Sequence, residues 1–201
     1  MSKITEIIGP QNFEIVRDKI AEILSIELAE QFVLSGDPDI NARVWLERFV
    51  PFNYNDFPVV NVSIGTIRNP SKDSPSSVSE LTINIDAIFS AKTDNSDDGD
   101  SLSQLKSHKL IGKCRAILES PVYDTLDFVR SSDGVNHTSV QGIDFAAKEP
   151  GDAASVALSR MQFLVRVSET VPLVGTIALD ESNTKVTLDL TDKGYRYIEI
   201  T

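Results

Sequence analysis

An alternation of apolar and polar residues marks residues 81–90 as the strand around which this chain is organised. Every second position is apolar, and a period of two is typical of a strand with one buried face. The inward positions are Leu81, Ile83, Ile85, Ala87 and Phe89. Residues 157–168 alternate in the same way, with Met161, Phe163, Val165 and Val167 inward. We expect these two strands to share a sheet, in which Arg160 and Arg166 are positioned to pair with Asp86 across strands.

Two other segments repeat their apolar residues every three or four positions, which predicts amphipathic helices. The first covers residues 11–34 and ends at Gly36 and Pro38. Its predicted buried stripe is Phe13, Val16, Ile20, Ile23, Leu24, Leu28 and Phe32. The second covers residues 101–119, after an acidic turn at residues 93–100. Its predicted stripe is Leu102, Leu105, Ile111, Cys114, Ile117 and Leu118.

Shorter alternating segments predict further strands at residues 43–49, from Pro58 to Ile64, and at 139–146. Residues 68–79 are too polar to bury, and we expect them to form a long hairpin tip. The tail contains three alternating segments, residues 174–179, 185–190 and 195–200, which predict a β-meander. The sequence therefore predicts an α+β fold, a single mainly antiparallel sheet packed against two helices. Residues 1–170 form the domain, and residues 171–201 form a C-terminal β-meander extension.

The composition narrows the classes of function. The chain has 201 residues, 41% of them hydrophobic, which is enough for one domain with a core. A net charge of −11 and the lack of a basic stripe exclude binding that tracks DNA phosphates. No apolar run is long enough to span a membrane. One cysteine excludes an internal disulfide, and the N-terminus has no secretory apolar region, so we expect synthesis in the cytosol.

The sequence contains few motifs that could indicate catalysis or metal binding. Asp94, Ser96, Asp98 and Gly99 resemble the start of a calcium loop, but its twelfth position is Leu105, and we favour a solvated helix N-terminus. Ser103 and Lys106 form an S-x-x-K pair without its downstream elements. His108 and His137 lack metal-ligand spacing, and Cys114 lies on an apolar stripe. We therefore expect no enzyme activity, no catalytic residue, no metal and no cofactor.

Four segments in this order resemble bacteriophage tail-terminator (tail-completion) proteins, the lambda-like group and its relatives in contractile tails. They are ARVWLERFVPF after the first helix, FPVVNVSIG, LTINIDAIFSAK followed by the helix SLSQLKSHKLIGKCRAILE, and the closing strand ALSRMQFLVRVSET. The resemblance covers about residues 15–170 and consists of a pattern of elements with few fixed residues. The closing strand lacks the family's usual tyrosine, and the chain continues beyond Pro172.

The resemblance implies a structural virion protein at the head-proximal end of the tail, assembled in the host cytoplasm. It implies a homohexameric ring that caps the tail tube, stops its polymerisation and joins the neck or connector protein to the tube, with the sheath protein as a further partner. Genomic DNA would pass through without specific binding, past acidic residues that we take as a channel-facing loop: Asp94, Asp97, Asp98 and Asp100.

Aromatic and arginine residues are enriched where proteins meet. The candidate partner interface therefore comprises Trp45 and Arg48, with Tyr195 and Tyr197 on one face of the last strand. A core-edge position is an equal interpretation for Trp45. Two alternatives to the terminator remain: a neck or head-completion connector of the head–tail junction, and, more remotely, a serine hydrolase that uses Ser103.

Overall fold

The computed structural model describes residue 7 and residues 9–48, 57–68, 76–91, 96–128, 135–147, 155–170, 185–191 and 194–200. Two helices and five strands lie within residues 9–171. In chain order they are α1 (Asn12–Ser35), β1 (Arg43–Leu46), β2 (Val59–Arg68), β3 (Ser76–Ala91), α2 (Ser96–Leu118), β4 (Val135–Ala147) and β5 (Ser155–Thr170). The arrangement is the predicted α+β class.

The five strands form one mixed sheet in the order β1-β2-β3-β5-β4. β1 runs parallel to β2, and the other neighbours are antiparallel. β3 lies at the centre, and its long register with β5 places Ile83 opposite Phe163 and Asp86 opposite Arg160. The two most regular alternating segments of the sequence are therefore hydrogen-bonded neighbours, as predicted.

α1 has a defined signal at each end. The side chain of Glu14 accepts a hydrogen bond from the backbone N–H of Gln11 at 2.8 Å, in a reciprocal capping box. At the other end Gly36 adopts a φ of 65°, the left-handed conformation that glycine reaches without strain, and its N–H bonds to the carbonyl of Phe32. The predicted bounds of this helix agree with the structure to one residue.

One face of the sheet carries the core, because both helices pack on it. Inward side chains of β2, β3 and β5 meet the buried stripes of α1 and α2 in a single cluster. The predicted inward residues of β3 and β5 are all buried, and Leu81, Ile83, Ile85, Met161, Phe163 and Val165 are completely so. No helix of the described residues packs on the opposite face, which is called the open face below.

The prediction for α2 was wrong in two respects. The helix begins at Ser96, so residues 96–100 of the predicted turn are helical, since acidic residues interact favourably with a helix N-terminus. From residue 101 onward the first buried positions are serines: Ser103 and Ser107 are buried, whereas Leu102 is exposed and Leu105 is 63% exposed. Ser107 lies four residues before Ile111, and Ser103 lies eleven residues before Cys114. Both serines are therefore on the buried side of the helix.

The Ser107 hydroxyl donates a hydrogen bond to the carbonyl of Ala87 at 3.0 Å and lies 2.7 Å from the Ser159 hydroxyl. The helix thus approaches the sheet closely at this point, because small hydroxyl side chains occupy the seam and are hydrogen-bonded within it.

β4 is longer than predicted and contains a bulge between Val140 and Gly142. The extra residue shifts the alternation, so Val140 and Ile143 both pack against the core, although strict alternation places them on opposite faces. The predicted hairpin tip at residues 68–79 is also shorter, because Ser76–Ser79 belongs to β3 and Ser79 is buried. The polar character of residues 76–79 thus led to a predicted loop where the structure has a strand.

The C-terminal residues form a separate unit. β6 (Lys185–Thr191) and β7 (Gly194–Ile200) pair as an antiparallel hairpin, with Leu188 opposite Tyr197 and Leu190 opposite Tyr195. These are the second and third strands of the predicted meander. The first, residues 174–179, lies outside the described residues.

Candidate functional site

The open face of the sheet carries a group of polar and charged side chains. Residues of β2, β3, β4 and β5 line a shallow depression there, with a volume of about 680 Å³. Its lining includes Thr82, His137, Gln162 and three arginines, Arg68, Arg160 and Arg166. Nothing in the alternating pattern alone identified the depression, which needs the registers of four strands to assemble.

Two of these arginines, Arg160 and Arg166, are held by carboxylates beneath them. Arg160 donates from Nε to Asp86 Oδ1 at 2.6 Å and from Nη2 to Asp86 Oδ2 at 2.8 Å. The hydrogen bond to Asp86 outweighs partial burial and raises the pKa of Arg160. Arg166 bonds Glu80 at 2.8 Å. The prediction that Arg160 pairs with Asp86 is confirmed, whereas Arg166 pairs with Glu80 instead.

Side-chain exposure is uneven in these pairs. Arg160 and Arg166 are 42% and 49% exposed, whereas Asp86 and Glu80 are 7% and 25% exposed. An approaching molecule therefore meets guanidinium groups, with the carboxylates below them. Such groups recognise carboxylates and carbonyl oxygens through directed N–H donors. The arrangement is suited to binding an acidic or hydrogen-bond-accepting surface.

The structure brings Trp45 and Arg48 together at the β1 edge. The Arg48 guanidinium lies 4.2 Å from the centroid of the Trp45 ring, a cation–π contact. Trp45 is opposite Asn61 on β2, and the Asn61 side chain accepts the backbone N–H of Arg48 at 3.0 Å. The Trp45 indole N–H is buried with no acceptor among the described residues.

Glu47 is the residue of this edge that sequence reasoning missed. It has a φ of 49°, in the left-handed region that L residues rarely adopt, and it turns the chain out of β1. Its carboxylate accepts the backbone N–H of Ile64 at 2.8 Å and lies 3.5 Å from Arg17. These contacts fix the turn that presents Arg48 over Trp45.

The other predicted residues are placed by their backbone alone. Asp94 lies outside the described residues, whereas Asp97, Asp98 and Asp100 lie in the first turns of α2. They therefore form a helical acidic segment, which corrects the expectation of a loop. Tyr195 and Tyr197 lie in β7, two positions apart.

The groups considered for chemistry are buried or in contact with other side chains. Ser103 is buried, and Lys106 Nζ bonds Asp39 at 2.8 Å. Burial raises the pKa of the Cys114 thiol to about 12, which keeps it protonated near neutral pH. The His108 ring packs on Phe145 with a centroid distance of 4.3 Å. Within the described ranges no group of three or more metal-ligating side chains converges.

Sequence reasoning also missed an ion-pair cluster that connects α2 to the turn after α1. Lys109 pairs with Asp37 and lies 3.7 Å from Asp39, which also pairs with Lys106. The hydrogen bond from Lys109 is the main cause of the lowered pKa of Asp37, and the backbone N–H of Asp39 lowers it further. The Asp37-Pro38-Asp39 spacing in a short 3₁₀ turn (Pro38–Ile40) is the signal that could have suggested it.

Comparisons of the sequence with protein-family models and with curated proteins find no match. No described helix combines the length and the hydropathy of a membrane-spanning segment.

Proposed function

We propose that this protein is a structural subunit of a bacteriophage tail, a terminator that forms a hexameric ring at the head-proximal end of the tail tube. The observation that carries the proposal is the order of elements on one sheet. A long helix precedes two parallel neighbours, β1 and β2, and the central strand β3 is followed by α2 before β4 and β5 close the sheet. This order agrees with the element pattern on which the resemblance rests.

The described surface supports an assembly role. The arginine-bearing open face and the half-buried Trp45–Arg48 pair carry side chains of the kind that make protein contacts, and no group of three metal-ligating side chains occurs among the described residues. Aromatic and arginine side chains dominate the energetics of protein interfaces. Trp45 and Arg48, with Tyr195 and Tyr197, form the proposed contact with the tube, the sheath or the neck protein.

The mechanism is steric and electrostatic. Subunits join head to tail until the ring closes, and the closed ring covers the growing end of the tube so that no further tube subunit can add. The acidic segment that contains Asp97, Asp98 and Asp100 contributes to the channel lining, with Asp94 before it. A chain with a net charge of −11 repels DNA phosphates, so DNA slides through without being held.

Disruption of the gene in the phage that encodes this chain tests the proposal. Loss of a terminator leaves the tube end uncapped, so we expect tails longer than those of the wild type, measured by electron microscopy. Tails of normal length that do not attach to heads would indicate the neck connector instead. Normal, infectious particles would contradict both assignments.

A further inference from the structure

The outward side of α1 carries a row of exposed apolar residues, interrupted by Glu22, on the side opposite the core; we call this row the outward stripe. Ile15, Ile26 and Val33 are 38%, 55% and 75% exposed. They are eleven and seven residues apart, and at 3.6 residues per turn their directions agree to within about 20°. Leu24, half a turn away from Ile15, is fully buried. Exposed apolar residues flanked by charged ones are suited to a contact with a second molecule on the outward side of the helix.

In the ion pairs of α1 the acidic partner is the more exposed one, whereas on the open face the basic partner is. Asp18 and Glu22 are 54% and 56% exposed, whereas their basic partners Arg17 and Lys19 are 18% and 27% exposed. Carboxylates are therefore outermost on α1. On the open face the guanidinium groups of Arg160 and Arg166 are outermost, above their carboxylates. The two surfaces are complementary in charge.

The dimensions also agree. The depression extends over four strands, and three spacings of about 4.8 Å give a width of about 14 Å. A helix with its side chains is about 10 to 12 Å across, so one helix fits within this width. Leu164, half-buried among the lining residues, provides an apolar contact for a residue such as Ile26.

We infer that the outward stripe of α1 docks on the open sheet face of a second copy of this chain. The two surfaces lie on opposite sides of the subunit, because α1 packs on the covered face of the sheet. Contact between two different surfaces is heterologous, so each copy leaves one surface of each kind available, and repetition gives a ring when the rotation closes. The inference deepens the proposed function, on which it rests, by assigning the two sides of the ring interface.

Two variants, each with one surface blocked, test the interface. Ile26→Glu adds a charge to the stripe, and Arg166→Glu reverses a charge on the open face. Leu105→Glu is the matched control, since Leu105 is 63% exposed on the other helix. Native mass spectrometry over a concentration series follows self-association. We expect the wild type and Leu105→Glu to form oligomers alike, and each blocked variant to lose self-association.

A mixture of the two blocked variants gives the sharpest result. Each retains the surface that the other lacks, so the mixture should form a heterodimer and nothing larger. No heterodimer, unchanged oligomers of Ile26→Glu, or a wild type that stays monomeric up to its solubility limit would overturn the inference. Loss of oligomers with Leu105→Glu would assign the contact to α2. A melting temperature lowered by Ile26→Glu but not by the control would show that the same chain covers the stripe.

The two proposals fail separately. If gene disruption gives overlong tails but the Ile26→Glu protein still forms rings, the ring uses another interface. If the variants behave as expected but gene disruption leaves tail length unchanged, the contact exists and the terminator role is wrong.

Discussion

Arg160 and Asp86 form a two-pronged ion pair across β5 and β3, with N–O distances of 2.6 and 2.8 Å. Asp86 is buried on the open face of the sheet, and the guanidinium covers its carboxylate. The pair lies within the long register between β3 and β5. The Arg160 guanidinium therefore has two roles. It stabilises the buried carboxylate of Asp86, and it is exposed on the proposed docking surface.

A double-mutant cycle on the Asp86–Arg160 pair should give a larger coupling free energy than one on the Glu80–Arg166 pair. For Asp86→Ala, Arg160→Ala and the double variant, we expect a coupling free energy of about 1 to 3 kcal/mol, as for hydrogen bonds to charged groups in partly buried sites. The Glu80–Arg166 pair on the same two strands is more exposed and serves as the control, with an expected coupling below about 1 kcal/mol. Urea denaturation measures both, and equal values would contradict the asymmetry.

The buried face of α2 gives a second prediction. Ser107→Ala should lower the free energy of unfolding by about 1 to 2 kcal/mol, because it removes the hydrogen bonds to Ala87 and Ser159. Ser107→Leu should cost more, since the seam has no room for the larger side chain. Leu105→Ser should change the free energy by less than about 0.5 kcal/mol.

Thermal and urea denaturation of these three variants check the prediction. If Leu105→Ser instead cost about 2 to 5 kcal/mol, the loss typical of a truncated buried leucine, the helix would present the leucine face to the core. That result would restore the expectation drawn from the sequence.

The sequence predicted best where hydrophobicity and burial coincide. β3 and β5 were predicted with the correct inward residues because their alternation is strict, and α1 because Gly36 ends it. In α2 the same reasoning predicted that Leu102 and Leu105 are buried, whereas the structure buries Ser103 and Ser107. The position of a helix face is set by what it packs against, and the hydrogen-bond partners of Ser107 belong to strands distant in sequence.

The candidate site was harder to predict for a related reason. The open face consists of polar residues that look like ordinary solvent-facing positions within any one strand. Arg160 and Arg166 of β5 meet His137 of β4 only through the register of these two strands, and the bulge in β4 changes that register. The left-handed conformation at Glu47 could not be predicted either, because the residue is not a glycine or an asparagine. Such features arise from tertiary structure, which local periodicity does not encode.

The Lys109–Asp37 pair predicts a pH dependence of stability. Because the folded-state pKa of Asp37 lies below its unfolded value of 3.8, its stabilising effect is present above that pH and is lost as pH falls through the folded pKa. The pKa of Lys109 is raised above 10.5, with the bond to Asp37 as the main cause, so its contribution is lost only at high pH. The pair therefore stabilises the fold between about pH 4 and 10.

Lys109→Met should lower the melting temperature at neutral pH, and the difference from the wild type should shrink as the pH falls below about 4. Lys113→Met removes the same charge from the same helix and serves as the control, with a smaller effect at neutral pH. Differential scanning calorimetry at several pH values follows both variants. A Lys109→Met deficit that stays constant through the acidic range would show that the ion pair is not its cause.

The position, copy number and symmetry of the chain in the particle test the terminator role most directly. Cryo-electron microscopy of tails from the phage that encodes it should show a ring of six copies at the head-proximal end of the tube. The five-stranded sheet with α1 and α2 should fit each copy. A ring at that site with another symmetry, density into which this fold does not fit, or absence of the chain from the tail end would contradict the account.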